Sequence, residues 1–274
     1  MKLARVFPRK TKATPNDDLA FVNCPPSMLL PEIDEVHISV TFTYDMVYAE
    51  QLYTAWQTVG VPVKMGGAAF GKPSGEFVPG LYLKKGYTIT SRGCPNKCWF
   101  CSVWKREPKH KELEIKDGWI VQDDNLLACS DQHIKAVFGM LKRQPKRAVF
   151  SGGLEAAILK QWHIEELRKL NPQSMYFAYD TKDDLEPLIE AGKKLKKVGY
   201  SIKDRTCCCY LLIGYKGDTF EKAEKRIHQA IKAGFFPFAM LYKDEAGNEQ
   251  KEWRKFQRTW CNPWIVGSQI KQTM

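Results

Sequence analysis

From Tyr87 onward, short runs of β-branched and aromatic residues alternate with segments whose apolar positions recur every three or four residues. That alternation is the pattern of β/α units on a parallel sheet. Tyr87–Ser91 predicts a first strand and Trp119–Gln122 a second. Ser130 and Asp131 then offer an N-cap, and Ile134, Val137, Phe138 and Leu141 fall on one helical face. Arg147–Phe150 predicts a third strand running into Ser151-Gly152-Gly153-Leu154-Glu155, with Ile164, Leu167 and Leu170 on the helix behind it. Met175–Tyr179 predicts a fourth, ending at Asp180, and Leu185, Leu188, Ile189 and Leu195 mark its helix. The fifth strand is Cys207–Gly214. Asp218 and Glu221 read as a capping box for a helix that turns Phe220, Ala223, Ile227, Ala230 and Ile231 inward. Gly234 closes that helix before a sixth strand, Phe235–Leu241.

Six such repeats predict an α/β fold: a partial (β/α)6 barrel of the TIM type, open along one side. In parallel barrels chemistry gathers at the C-terminal ends of the strands. The cysteines that follow strand one, the run Asp123-Asp124-Asn125, the pair Gly152-Gly153 and Asp180 all fall at such ends. The first 80 residues differ. Val36–Phe42 reads as a strand, Met46–Val59 as a helix and Val61–Met65 as a second strand, a small β-α-β unit with a glycine-rich link from Gly66 to Gly80. The expected organisation is therefore a small α/β unit over 1–80, the barrel over 81–244, and a helical tail over 245–274. Trp253, Phe256, Trp260 and Trp264 would pack that tail onto the barrel.

Composition adds charge to this picture. The 274 residues are 44% hydrophobic, enough for a sizeable core, and carry a net charge of +11. Lys2, Arg5, Arg9, Lys10 and Lys12 have no acid among them, and Lys97, Lys105, Arg106, Lys109 and Lys111 meet only Glu107. A basic rim would attract phosphate, nucleotide or nucleic acid; a solvated surface that keeps the chain soluble is the plainer reading. The N-terminus has no apolar leader, and no stretch has the length of a membrane span. The chain is expected in the cytoplasm, with its thiols reduced.

The chemistry concentrates in Arg92-Gly93-Cys94-Pro95-Asn96-Lys97-Cys98-Trp99-Phe100-Cys101. Three thiolates within eight residues can hold three corners of a cubane iron–sulfur cluster and leave the fourth iron open. A structural zinc site usually pairs two short knuckles, and only His110 stands close enough to complete one here. A disulfide framework fits neither the length nor the missing leader. Six further cysteines remain: Cys24, Cys129, Cys207, Cys208, Cys209 and Cys261. The three consecutive ones lie in a strand whose neighbours point to opposite faces, so they cannot converge on an auxiliary cluster.

The Cys-x3-Cys-x2-Cys spacing, with Phe100 before the last cysteine, resembles the signature of the radical S-adenosylmethionine (radical SAM) enzymes. The resemblance extends more loosely over Gly80 to Leu241. It implies that Cys94, Cys98 and Cys101 bind a 4Fe-4S cluster whose open iron chelates S-adenosylmethionine. It also implies an external low-potential reductant of the flavodoxin or ferredoxin type, and a 5′-deoxyadenosyl radical that abstracts hydrogen from substrate. Phe100 would lie near the adenine. The family's GGE-type stretch, which meets the cofactor's amino group, has two counterparts here. Gly152-Gly153-Leu154-Glu155 matches in letters, while Asp123-Asp124-Asn125 matches in order of elements and resembles the acidic variant of the cobalamin-binding branch. The expected arrangement gives Asp123, Asp124 and Asn125 the amino group, with Gly152, Gly153 and Glu155 lining the same cavity. Asp180 would meet the ribose hydroxyls or cap the following turn.

The N-terminal unit resembles a truncated cobalamin-binding domain, but no Asp-x-His-x-x-Gly run supplies an imidazole, so cobalamin is not expected. His37 reads as a histidine of the sheet. The substrate reading leans to a phosphorylated metabolite, nucleotide or nucleic acid. A peptide or natural product is the enzymatic rival, and a non-catalytic iron–sulfur or zinc-stabilised nucleic-acid-binding protein is the alternative from another class.

Overall fold

A computed structural model describes residues 1–72 and 75–273. The fold is mixed α/β with two parallel sheets, each over its own hydrophobic core. The first sheet comprises β1 (Leu3–Phe7), β2 (Ala20–Val22), β3 (Glu35–Ser39) and β4 (Val63–Gly66), in the order β2-β1-β3-β4. Helix α1 (Met46–Gln57) buries Ala49, Leu52 and Trp56 against Ala4, Val6, Val36 and Ile38. This unit is larger than the expected β-α-β. Strand β1 is short and carries Arg5, whose charge masks a buried run. Arg5 is only 6% exposed, because it pairs with Asp17 and donates to the carbonyls of Gly80 and Leu81 at 3.2 Å.

The second sheet contains β5 (Tyr87–Thr88), β8 (Ile120–Val121), β9 (Val149–Leu154), β10 (Ser174–Ala178), β11 (Cys207–Ile213) and β12 (Phe236–Leu241). All its pairings are parallel, and the strands lie side by side in sequence order. Between β5 and β8 come the cysteine loop, the short α2 (Val103–Arg106), and an antiparallel ribbon of β6 (Ser91–Arg92) with β7 (Lys111–Glu112). The expected first strand is thus split: Tyr87–Thr88 joins the sheet and Ser91–Arg92 leaves it for the ribbon. The later crossovers are α3 (Asp131–Lys142), α4 (Gln161–Leu170), α5 (Leu185–Lys197) and α6 (Phe220–Lys232).

Helix ends follow local chemistry. Ser130 caps α3 by accepting from His133 N at 3.2 Å. Thr219, not Asp218, caps α6, because Asp218 is committed to Gly214 N and to Arg226. Along β10 and β11, Met175, Phe177, Cys207, Cys209, Leu211 and Ile213 join the helices in the core. The alternate positions Tyr176, Tyr210 and Leu212, with Phe238 of β12 beside Tyr210, are only half-buried and line the other face. Helices α7 (Trp253–Cys261) and α8 (Pro263–Thr273) follow, with Trp253 and Trp260 buried and Cys261 Sγ donating to Ala239 O at 2.9 Å. Among the described residues no helix is long and apolar enough to cross a membrane.

Candidate functional site

The cysteine loop leaves β6 at the C-terminal edge of the second sheet and is held there from below. Asp123, immediately after β8, is 1% exposed. It accepts from Thr90 N and Thr90 Oγ1, both at 2.6 Å, and from Ser91 Oγ at 2.8 Å. Asp124 accepts from Gly93 N at 2.9 Å and lies 3.9 Å from Arg106. Gly93 has φ +83°, and an added Cβ would sit 2.5 Å from Lys109 O, so only glycine serves at this turn. The two acids expected to face a cofactor's amino group are therefore engaged by the residues on either side of the loop's start. Their carboxylates are spent on building the loop that carries the thiols.

Asn125 behaves differently. It is 4% exposed, and its Nδ2 lies 3.5 Å from Cys94 Sγ and donates to Glu155 Oε2 at 2.6 Å. Its Oδ1 is buried and has no partner among the described residues. An orphaned acceptor of this kind calls for a donor. Asn125 thus joins the two stretches expected to compete, because Glu155 closes the Gly152-Gly153-Leu154-Glu155 run. Both glycines lie within β9 rather than after it. At Gly152 an added Cβ would fall 1.9 Å from Asp123 O, so β9 can approach the end of β8 only without a side chain there. Gly153 (φ +102°) faces open space.

The thiols of Cys98 and Cys101 are half-buried. Burial pushes Cys98 up to about 11, with Cys101, Cys94, Asp184 and Asp180 raising it further. Burial likewise raises Cys101, against the amide of Val103 that donates to its Sγ at 3.4 Å. Such thiols stay protonated until a metal displaces the proton. Among the described residues no three His, Cys, Asp or Glu side chains are arranged to hold a single metal ion. A tetrahedral zinc centre needs its donors to converge at about 2.0–2.3 Å from one ion, whereas each thiolate on a cubane meets a different iron. His110, the imidazole nearest the motif, stands instead 3.7 Å from Cys129 Sγ.

Two half-buried cations flank the loop. Burial lowers the pKa of Arg92, countered by Asp124, and the Nε atoms of Arg92 and Arg106 lack partners among the described residues. Asp180 follows β10 and accepts from Leu212 N at 2.7 Å; burial pushes its carboxyl up to about 6. The cap of the following turn is provided by Asp184, which accepts from Thr181 N at 2.7 Å.

The loop then reaches across the mouth of the sheet. Trp99 packs edge-on against Phe100 at 5.3 Å and against Tyr215, just past β11, at 5.5 Å; Tyr242, just past β12, lies at 5.7 Å. Inside the mouth Tyr176 stacks on Tyr210 at 4.5 Å, with Phe238 5.7 Å from Tyr210. Cys208, 6% exposed, belongs to the same face as Tyr210. Sequence reasoning placed Arg106 in the basic rim and quoted Arg92 and Trp99 in the cysteine run without giving them a role, and it missed Tyr215 and Tyr242 as neighbours of the site. A single strand-end aromatic carries no periodic signal, although the aromatic run at 99–100 was visible.

The basic runs also look different in three dimensions. Lys2 pairs with Glu32, Arg9 with Asp45, Lys105 with Glu245 and Lys111 with Glu107. Neither the protein-family models nor the curated proteins compared with this chain include a match.

Proposed function

We propose that the chain is a radical SAM enzyme on a partial (β/α)6 barrel, with Cys94, Cys98 and Cys101 holding a 4Fe-4S cluster. The observation that carries this reading is the company the thiols keep. They are three cysteines on one loop at the C-terminal mouth of a parallel sheet, beside a buried amide oxygen with no partner among the described residues. The barrel reading is supported by strands laid down in sequence order without reversal, which is the winding of a barrel rather than of a doubly wound sheet.

Each residue then has a task. The three thiolates would hold three irons, and the Arg92 and Arg106 guanidiniums would offset the negative charge gathered there. Asn125 Oδ1, braced by Glu155, would accept from the amino group of S-adenosylmethionine, with Gly152 and Gly153 leaving room for it. Phe100 would flank the adenine, and Asp180 would face the ribose. The chemistry such a cluster supplies with S-adenosylmethionine is one-electron cleavage of a carbon–sulfur bond, giving a carbon radical that takes hydrogen from a substrate. Tyr176, Tyr210 and Phe238 would seat that substrate and keep water out. The electron would come from an external flavodoxin- or ferredoxin-type partner.

The test is anaerobic reconstitution with iron and sulfide, reduction with dithionite, and measurement of 5′-deoxyadenosine released from S-adenosylmethionine. The expected result is cluster-dependent release that is abolished in Cys98→Ala. A cluster that forms but binds no S-adenosylmethionine, or full release by Cys98→Ala, refutes the proposal.

A further inference from the structure

We infer that the mouth of the second sheet binds a single-stranded nucleic acid, gripping its phosphates with loop lysines and stacking a base on Trp99. This deepens the reading above and rests on it for the identity of the mouth, but its binding test does not require catalysis.

Trp99 is 55% exposed, although three aromatic rings from three separate loops hold it in place. An indole fixed edge-on by its neighbours yet left uncovered is a platform for a flat partner. The ring faces below it continue the surface inward: Tyr176 stacked on Tyr210, with Phe238 beside them. Flat unsaturated rings are therefore favoured both at the rim and within.

The charge around the platform is mostly positive. Lys97 in the cysteine loop, Lys109 after α2, Lys182 after β10 and Lys216 after β11 are exposed, and none forms an ion pair among the described residues. Asp183 beside Lys182 is exposed too, but three other acids of these loops are spent internally. Asp218 pairs with Arg226 at 2.9 Å, Asp184 caps Thr181, and Asp244 accepts from Asn248 N at 2.7 Å. The loop after β12 meets the first unit alongside: Arg9, paired with Asp45, and Lys243, paired with Glu249, lie over the Tyr44 ring at 5.2 and 5.3 Å, and Thr43 donates to Glu245 O across the two units. Lysines interleaved with stacking rings match the phosphodiester backbone and the bases of a single strand. An acidic peptide would satisfy the lysines but leave the platform bare.

The test is fluorescence anisotropy on the full chain after iron–sulfide reconstitution, without S-adenosylmethionine, using labelled RNA and DNA strands about 12 nucleotides long. Heparin serves as a polyanion without bases. Trp99→Ala should weaken binding of a strand about 5- to 100-fold, and Trp99→Phe should restore most of it. Lys97→Ala with Lys216→Ala should lower the salt slope by about 1.4, at about 0.7 per phosphate contact. Lys196→Ala with Lys197→Ala removes the same charge at the C-terminal end of α5, away from the mouth, and should change nothing. The inference is overturned if neither strand binds, or if Trp99→Ala binds like the parent. It is equally overturned if the 196/197 pair weakens binding as much as the 97/216 pair, or if heparin displaces the labelled strand as effectively as an unlabelled strand of equal charge does. Lost binding alongside intact 5′-deoxyadenosine release would sink this inference and leave the proposed reaction standing.

Discussion

Replacing Asp123 with alanine should destabilise the chain far more than its position beside a candidate cavity suggests. Both carboxylate oxygens are occupied: Thr90 N and Thr90 Oγ1 donate at 2.6 Å and Ser91 Oγ at 2.8 Å, in a site 1% exposed. Alanine leaves a buried backbone N–H without a partner and two hydroxyls to find others. Hydrogen bonds to a charged acceptor contribute about 1.5–3 kcal/mol each, but three sharing one carboxylate are not additive. Breaking such a buried arrangement from one side costs about 3–5 kcal/mol. Burial also raises the pKa of Asp123, while the donors from Thr90 and Ser91 pull it down. Asparagine brings no charge to bury, keeps one oxygen for Thr90 N, and lets the hydroxyls accept from its amide. Asp123→Asn should therefore cost no more than about 2 kcal/mol. Urea titration at neutral pH, compared at constant m, reads both variants. At roughly 2–4 °C per kcal/mol, Asp123→Ala should also lower Tm by roughly 6–20 °C. An Asp123→Ala variant within about 1 kcal/mol of the parent would refute the view that this carboxylate carries the loop.

Two further expectations follow from the same reading. Gly152→Ala puts a Cβ 1.9 Å from Asp123 O, so β9 must part from the end of β8; it should cost about 1–3 kcal/mol or more and impair cluster retention, and an iron content and stability equal to the parent would contradict it. His163 is fully buried and accepts from Lys160 N at 3.1 Å, while its Nε2 lacks a partner among the described residues. Burial, aided by Lys160, pushes its pKa down to about 4. The folded state then refuses a proton that the unfolded state takes up near pH 6.5, so stability holds above that pH. It should fall by about 3 kcal/mol as pH drops from 6.5 to 4, and His163→Asn should flatten that part of the curve. An unchanged pH profile in His163→Asn would assign the effect elsewhere.

The middle strands β8 to β11 were legible because each is an apolar run followed by a helix with an apolar face, whereas the first expected strand turned out to be split between the sheet and the ribbon. Cys207–Ile213 and Phe220–Lys232 are the clearest pair. Strand β1 was not legible, since Arg5 and the flanking Lys2 and Arg9 read as exposed charge. Their partners Asp17, Glu32 and Asp45 lie 12 to 36 residues away. Ion pairs at that separation have no periodicity, so the apparent basic cluster at the N-terminus survives only as Lys10 and Lys12.

The parallel α/β class and the three thiols were readable along the chain, because both rest on local spacing: periods of two and 3.6, and cysteines within one loop. Which partner each polar group at the strand ends takes came only from contacts between distant segments. Asp123, Asp124 and Asn125 are consecutive, yet the first holds Thr90 and Ser91, the second Gly93, and the third Glu155 and Cys94. Side-chain direction at a strand end is set by which buried donors and acceptors lie within reach. Those partners come from 30 or so residues away in either direction, where no local pattern can announce them.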